Sequence, residues 1–448
     1  MTDVNKFVSY IRDILNALDH DIELENKHKY FKILWHNDQL LAFPHSVTLS
    51  YNNAISMLVG KADVRKRLVS RSHIENTFNN FLSDLYDYKS NNNEPSLTSI
   101  LHGKVQEFFK AIRNLKAFEY LVIIPILNMR IEEIMIIGNV EFVNLTPEKI
   151  KELRNKHNIN AMPEYNENER EIVKDFQGDS RHPTAGIDIV ISSDSTKAEE
   201  LAVQTVDQAL NVLRFYFHSF RGRVRGEELR EVNRTILISN IDEKQDFSPS
   251  SELCNMIDPD YPDEVIDNET LRSLRNNEID KLNRILIRPL AELSPLQRDI
   301  LNAIFWIGNA EKDIISTDKL IKYVTALDAL LSQDRRDKSE TVAKRYTAIM
   351  NQNSNGPEIL DAYCRIKNYY IFRNNILHAG WRYIDPSILR SVLEDVRNLT
   401  FNLLLYADSY KTVTELQEKI FPIRREVFEK TEKSNLMPRF VVIKRRNV

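Results

Sequence analysis

The chain is short of the residues that several common chemistries depend on. Only 10 of its 448 residues are glycine, which disfavours glycine-rich nucleotide loops and leans the fold toward helices. Gly60-Lys61 lacks the earlier glycine and the following Ser or Thr of a Walker A loop, and no GxSxG elbow occurs. Cysteine appears twice, at Cys254 and Cys364, in no CxxC arrangement, so neither a disulfide framework nor a cysteine zinc site is expected. His28 and His36 lie near one another, but no HExxH accompanies them. No uncharged run is long enough to cross a bilayer. The opening MTDVNKFVSYIRDILNALDHDIE is amphipathic and broken by charges, unlike a signal peptide. The expectation is a cytoplasmic protein in a reducing compartment, with no membrane partner, metal or cofactor. Charge of one sign is also missing: 61 Lys and Arg against 65 Asp and Glu leave a formal net charge of -4. Any contact with a polyanion must therefore come from a local basic patch.

What is present fits an α+β fold, with a mixed α/β N-terminal region followed by an all-α helical bundle. The length favours two or three domains, and an apolar share of 42% is enough to fill them. Phe7, Ile11, Ile14, Leu15 and Leu18 recur at helical spacing, and so do apolar positions in 74–85 and 100–115. FEYLVIIPILNM, RIEEIMIIGNVEFVNL, AGIDIVISS and RTILISNI read as strands, punctuated by Pro125 and Gly138. Thr146-Pro147 opens a helix, and 197–217 is a longer one. The polar stretch 159–184 reads as a connection and the acidic, Pro- and Ser-rich stretch 242–267 as a loop. These divisions predict an α+β sensing or regulatory region over 1–292, breaking into subdomains near 159–184. A helical domain over 293–425 and a basic tail over 426–448 follow.

The helical domain is marked by a cap at each start. Ser294-Pro295 opens a helix with Leu296, Ile300, Ile304 and Ile307 inward; Ser316 opens one with Leu320, Val324, Leu327 and Leu331. Ser339 begins a third, with Val342, Tyr346, Ile349 and Met350 facing inward. Pro357 begins a fourth that should end at Gly380 in a left-handed C-cap. Asp385-Pro386 begins a fifth, striped by Ile388, Val392, Val396, Leu399 and Leu403. An antiparallel bundle is the natural packing.

The fourth helix carries the chemistry. Its stripe of Ile359, Tyr363, Ile366, Tyr370 and Leu377 continues through Arg373 and Asn374, where apolar residues are expected. An unpaired guanidinium on an inner face is costly, so the pair calls for a partner, a ligand or a subunit interface. His378 lies one turn beyond Asn374 on the same face, in the last turn, where the helix dipole favours the imidazolium. A histidine poised near neutrality takes and gives protons, and an arginine grips a phosphate bidentately and stabilises developing charge. Together they suit metal-independent cleavage of RNA by its own 2'-hydroxyl, a group that DNA lacks. The bland alternative is a polar cluster tying helices together.

The segment YYIFRNNILHAG resembles the R-x4-6-H motif of HEPN domains (higher eukaryotes and prokaryotes nucleotide-binding), in which a polar residue, often Asn, follows the arginine. LIKYVTALDALLSQ and TVAKRYTAIM resemble the preceding helices of the ApeA-like branch, which commonly has an acidic residue where Asp328 stands and an arginine where Arg345 stands. The likeness covers roughly 296–410, with a weaker echo in IIPILNMRIEEIMIIGNVEFV. It implies a homodimer in which two motif helices build one composite endoribonuclease site from Arg373, Asn374 and His378. It also implies a defence role of the abortive-infection or toxin type, with a phage-derived trigger or inhibitor protein as a further partner. Some members are catalytically silent and serve in dimerisation or in binding RNA or nucleotides; others accept nucleotidyl groups.

Supporting residues divide less sharply. Asp328 either orients the arginine or histidine, or pairs with Arg345 as a buried bridge. Tyr369 is a candidate for stacking RNA bases, as is Tyr370, although Tyr370 lies on the core stripe. Arg221, Arg223 and Arg225, in RFYFHSFRGRVRGEELR, are candidate RNA contacts diluted by Glu227 and Glu228.

Overall fold

The computed structural model describes residues 3–18, 30–36, 39–61, 69–91, 97–126, 128–159, 184–217, 220, 230–245, 247–256, 264–276, 278–332, 339–424 and 426–428. The first part is mostly helical, with α1 (Asp3–Ala17), α2 (Thr48–Lys61), α3 (Arg71–Asn91) and α4 (Leu97–Arg113) packed on one another, and a hairpin of β1 (Tyr30–His36) and β2 (Gln39–Pro44) whose second strand meets α1. Phe7, Ile11 and Ile14 are buried as their spacing predicts. They meet Phe78 and Phe109 in a core of their own, with the Phe7 and Phe109 rings 4.7 Å apart.

An antiparallel sheet follows, formed by β3 (Phe118–Ile126), β5 (Met135–Ile137), β6 (Val140–Asn144), β7 (Thr184–Ser192), β8 (Arg230–Asn240) and β9 (Ser248–Met256). Its strand order is β5-β6-β7-β3-β8-β9. Two short strands, β4 (Met129–Ile131) and β10 (Glu264–Ile266), pair in parallel beside it. Because side chains alternate across a strand, one face sends Val122, Ile124 and Val190 toward α6 (Ser195–Tyr216), and the other sends Leu121, Ile123 and Ile187 toward α5 (Pro147–His157). Thr146 caps α5 as expected. Close approach of α6 requires Gly186, where an added Cβ would lie 2.9 Å from Val206 Cγ1.

The stretch 242–267 is not simply a loop: it holds β9 and β10. Pro249 and the serines read as loop residues, yet β9 is the last strand of the sheet, where proline is tolerated because one edge of the strand carries no ladder. After β10 come two short helices, α7 (Asn268–Asn276) and α8 (Ile279–Leu286), with Glu278 at φ 63° between them.

The helical part comprises α9 (Pro295–Lys312), α10 (Ser316–Leu331), α11 (Ser339–Met350), α12 (Gly356–Ala379), α13 (Pro386–Tyr406) and α14 (Val413–Lys419). Ser294 closes a capping box with Gln297, and Asp385 accepts from the backbone of Ser387. The stripes of α9, α10 and α13 are buried, apart from a half-buried Ile388. The 292/293 boundary expected from the sequence, however, falls inside a single apolar cluster. That cluster runs from Val122 and Ile124 through Leu210 and Leu213 of α6 to Ile300 and Ile304 of α9. The apolar packing instead changes hands between α4 and β3. The expected connection at 159–184 lies almost wholly outside the described residues. Of the tail over 426–448 only 426–428 are described, and Phe428 belongs to the bundle, its ring 5.2 Å from that of Tyr363. Among the described residues, no helix is long and apolar enough to cross a membrane.

Candidate active site

The motif helix α12 begins under tight local control. Asn355 accepts from the backbone of Glu358 while the Glu358 carboxylate accepts from that of Asn355, and Pro357 occupies the first turn. Ile359, Tyr363, Ile366 and Tyr370 are then buried, as the stripe predicts. The stripe stops there. Leu377, expected inside, is 51% exposed. At 24 residues α12 is longer than α10 and α11, with 16 and 12, against which it packs. Its last turns therefore outrun that core. Gly380, at φ 67°, ends the helix in the left-handed conformation that favours glycine.

Arg373, Asn374 and His378 all lie on this projecting end. Arg373 is half-buried, and Asn374 and His378 are exposed. The guanidinium leans on α10, its Nη1 lying 3.5 Å from Asp328 Oδ2. The other oxygen of Asp328 accepts a hydrogen bond from Tyr370 Oη at 2.5 Å. Burial pushes the Asp328 carboxyl above its usual range, against the opposing pull of the Tyr370 hydroxyl and the Arg373 charge. Arg373 Nε is shut away from solvent and finds no acceptor among the described residues. An unsatisfied N–H of this kind costs about 1–3 kcal/mol, so the described residues serve the arginine only in part.

The Asp328 carboxylate meets Arg373 and Tyr370, and Arg345 Nη1 donates to the Leu331 carbonyl at 2.6 Å, at the end of α10. Tyr369 is corrected. It is 2% exposed, and its hydroxyl meets Ser391 Oγ at 2.6 Å and Asp395 Oδ2 at 2.7 Å, so its ring offers no face to a base. A burial direction about 100° around the helix from Tyr370, toward α13, places it in the core. Arg221, Arg223 and Arg225 lie outside the described residues.

Sequence reasoning overlooked a basic stretch in the motif helix itself. Residues 364–384 include Arg365, Lys367, Arg373, His378 and Arg382 and not one Asp or Glu. Counting acids as well as bases along α12 would have found it. The projecting end also carries exposed apolar side chains: Ile371 and Leu377 on the helix, Trp381 and Tyr383 just after it. Among the described residues, no group of three or more His, Cys, Asp and Glu side chains converges as metal ligands would. Neither family models, curated proteins nor solved structures yield a match to this chain. The functional reading therefore rests on its own residues.

Proposed function

We propose that this chain is a metal-independent endoribonuclease of the HEPN type, working as a homodimer. The observation that supports it best is the projecting end of α12, where Arg373, Asn374 and His378 stand among exposed Ile371 and Leu377. At about 100° per residue, Ile371, Asn374, Leu377 and His378 share one face of the helix. Apolar positions interleaved with polar ones suit a twofold pairing with the same helix of a second copy.

The chemistry gives that pairing a purpose. The 2'-oxygen of the substrate attacks the adjacent phosphorus and the bond to the 5'-oxygen breaks, leaving a cyclic phosphate and a free 5'-hydroxyl. One group must take the 2'-hydroxyl proton and another must give a proton to the departing oxygen, on opposite sides of phosphorus. A single imidazole cannot stand on both sides. His378 from each copy fills the two roles, Arg373 holds the nonbridging oxygens and stabilises their growing charge, and Asn374 fixes the imidazole or touches the ribose-phosphate. In this reading the protein is cytoplasmic, acts in antiphage defence of the abortive-infection type, and its N-terminal region restrains cleavage until a phage-derived trigger arrives.

Incubating the purified full chain with RNA in EDTA tests the activity. His378→Ala should lower cleavage by about 100- to 10,000-fold with fold and dimer retained; unchanged cleavage would falsify the assigned role. A noncatalytic dimerisation module is the second reading, favoured by the contact that draws Arg373 toward Asp328. It predicts dimers and no cleavage by the wild-type chain.

A further inference from the structure

The short segment after α12 is the most unusual surface near the candidate site. Gly380 and Trp381 both donate their backbone N–H to the Asn375 carbonyl, so the chain leaves the helix in a fixed direction. Trp381 then folds back, its ring 6.2 Å from that of Phe372 and inclined at 41°, while remaining 38% exposed. Arg382 is exposed, and Tyr383 is 63% exposed with no hydrogen-bond partner among the described residues. Asp385, the first acid beyond the helix, is occupied as a cap, accepting from the Ser387 backbone at 2.8 Å and from its hydroxyl at 2.7 Å.

We propose that Trp381, Arg382 and Tyr383 form a platform for single-stranded RNA, stacking the unpaired bases beside the phosphate held by Arg373. This deepens the ribonuclease reading and rests on it. Position on the helix separates the platform from the surface offered to a second copy. Phe372, on which Trp381 lies, is nearly opposite Asn374 around the helix, with Arg373 between them. A copy seated on the face of Ile371, Asn374, Leu377 and His378 leaves the Trp381 flank open. Phe372 immediately precedes Arg373, so a base on Trp381 is within a nucleotide or two of a phosphate gripped by that arginine. Charge selects a polyanion over an apolar peptide: Arg382 is exposed between the two rings, Arg373 is held by its own chain only through the 3.5 Å contact to Asp328 among the described residues, and 364–384 contains no acid, although Arg365 is spent on Asp395. The rings accept any base face, whereas a duplex keeps its bases stacked internally and cannot offer them.

The test is fluorescence anisotropy of a labelled oligouridine with 2'-O-methyl riboses, which keeps the base faces but has no free 2'-hydroxyl to react. Tyr383→Ala in the full chain should weaken binding about tenfold, as expected for one lost stack, while Tyr383→Phe retains it. Arg382→Ala should weaken binding and flatten its salt dependence. Annealing the oligonucleotide to its complement should weaken binding to the wild type. Sedimentation of each variant should give the wild-type oligomeric state. The proposal is overturned if the wild type does not bind the single strand, or if Tyr383→Ala and Arg382→Ala both bind as it does. Loss of affinity accompanied by dissociation to monomers also overturns it, and assigns the strip to the contact between copies. Cleavage of unmodified RNA is read separately, so platform-dependent binding by a chain that never cuts supports this inference while sinking the proposed activity.

Discussion

Two carboxylates meet the same helix, and their surroundings differ in kind. Asp395 of α13 is saturated. It accepts from Tyr346 Oη at 2.6 Å, from Tyr369 Oη at 2.7 Å, and from Arg365 through Nε at 2.8 Å and Nη2 at 3.0 Å. Asp328 of α10 is not: among the described residues it has one short bond from Tyr370 and a long contact to an arginine whose Nε goes unserved. Both clusters hold a carboxylate, an arginine and tyrosine. A fully served polar network locks helices together, whereas a partly served one costs stability.

The contrast can be broken by mutation. Asp395→Ala strands the buried Tyr346 hydroxyl, leaves that of Tyr369 with Ser391 alone and frees Arg365 from its partner, and should cost at least about 3 kcal/mol in denaturant unfolding. A loss below about 1 kcal/mol would mean that the saturated cluster stabilises nothing. Asp328→Asn keeps an acceptor for Tyr370 and removes a carboxylate that burial already disfavours, so its expected cost is no more than about 1 kcal/mol. Cleavage should nevertheless fall about tenfold or more through misplacement of Arg373. Equal unfolding losses in the two variants would erase the distinction.

Asp188 is the instructive exception, since it lies on β7 and not in the bundle, yet has an oxygen beneath α6 with no partner among the described residues. Burial pushes its carboxyl up to about 7, against a hydrogen bond from Thr205. The folded chain then keeps a proton that the unfolded chain releases near the usual carboxylate value of about 4. Stability contributed by that proton is present at low pH and is lost as pH rises through about 7. Asp188→Asn should therefore raise the melting temperature by more at about pH 8 than at about pH 5. An equal gain at both would show that Asp188 ionises in the fold as it does in water. The smallest expected effect is at Arg345, whose bond to the Leu331 carbonyl is one of many at helix ends. Arg345→Lys should shift stability by less than about 1 kcal/mol and leave cleavage intact.

Elements with a start signal and a stripe were legible from the residues alone: Ser294 with Leu296 and Ile300, Pro357 ahead of Ile359, Gly380 at the end. Both signals are local, so tertiary packing rarely overrides them. What escaped depends on neighbours. Leu377 continues the periodicity of α12, but periodicity does not say where the adjacent helices stop. Tyr369 was misread because the network that buries it comes from α11 and α13, distant in sequence. Strand β9 escaped because proline and serine signal a loop everywhere except at a sheet edge. Trp381 and Tyr383 lay just past the motif, in a turn that helical periodicity does not reach.

The apolar cluster shared by sheet and bundle restricts how the chain can be dissected. Asn211 of α6 presses against Gly308 of α9 so closely that an added Cβ would lie 2.4 Å from its Oδ1. A fragment starting at residue 293 would strip α6 from this seam and bare Ile300 and Ile304 to water. One starting just before Phe118 would carry α6 with it and keep that seam closed.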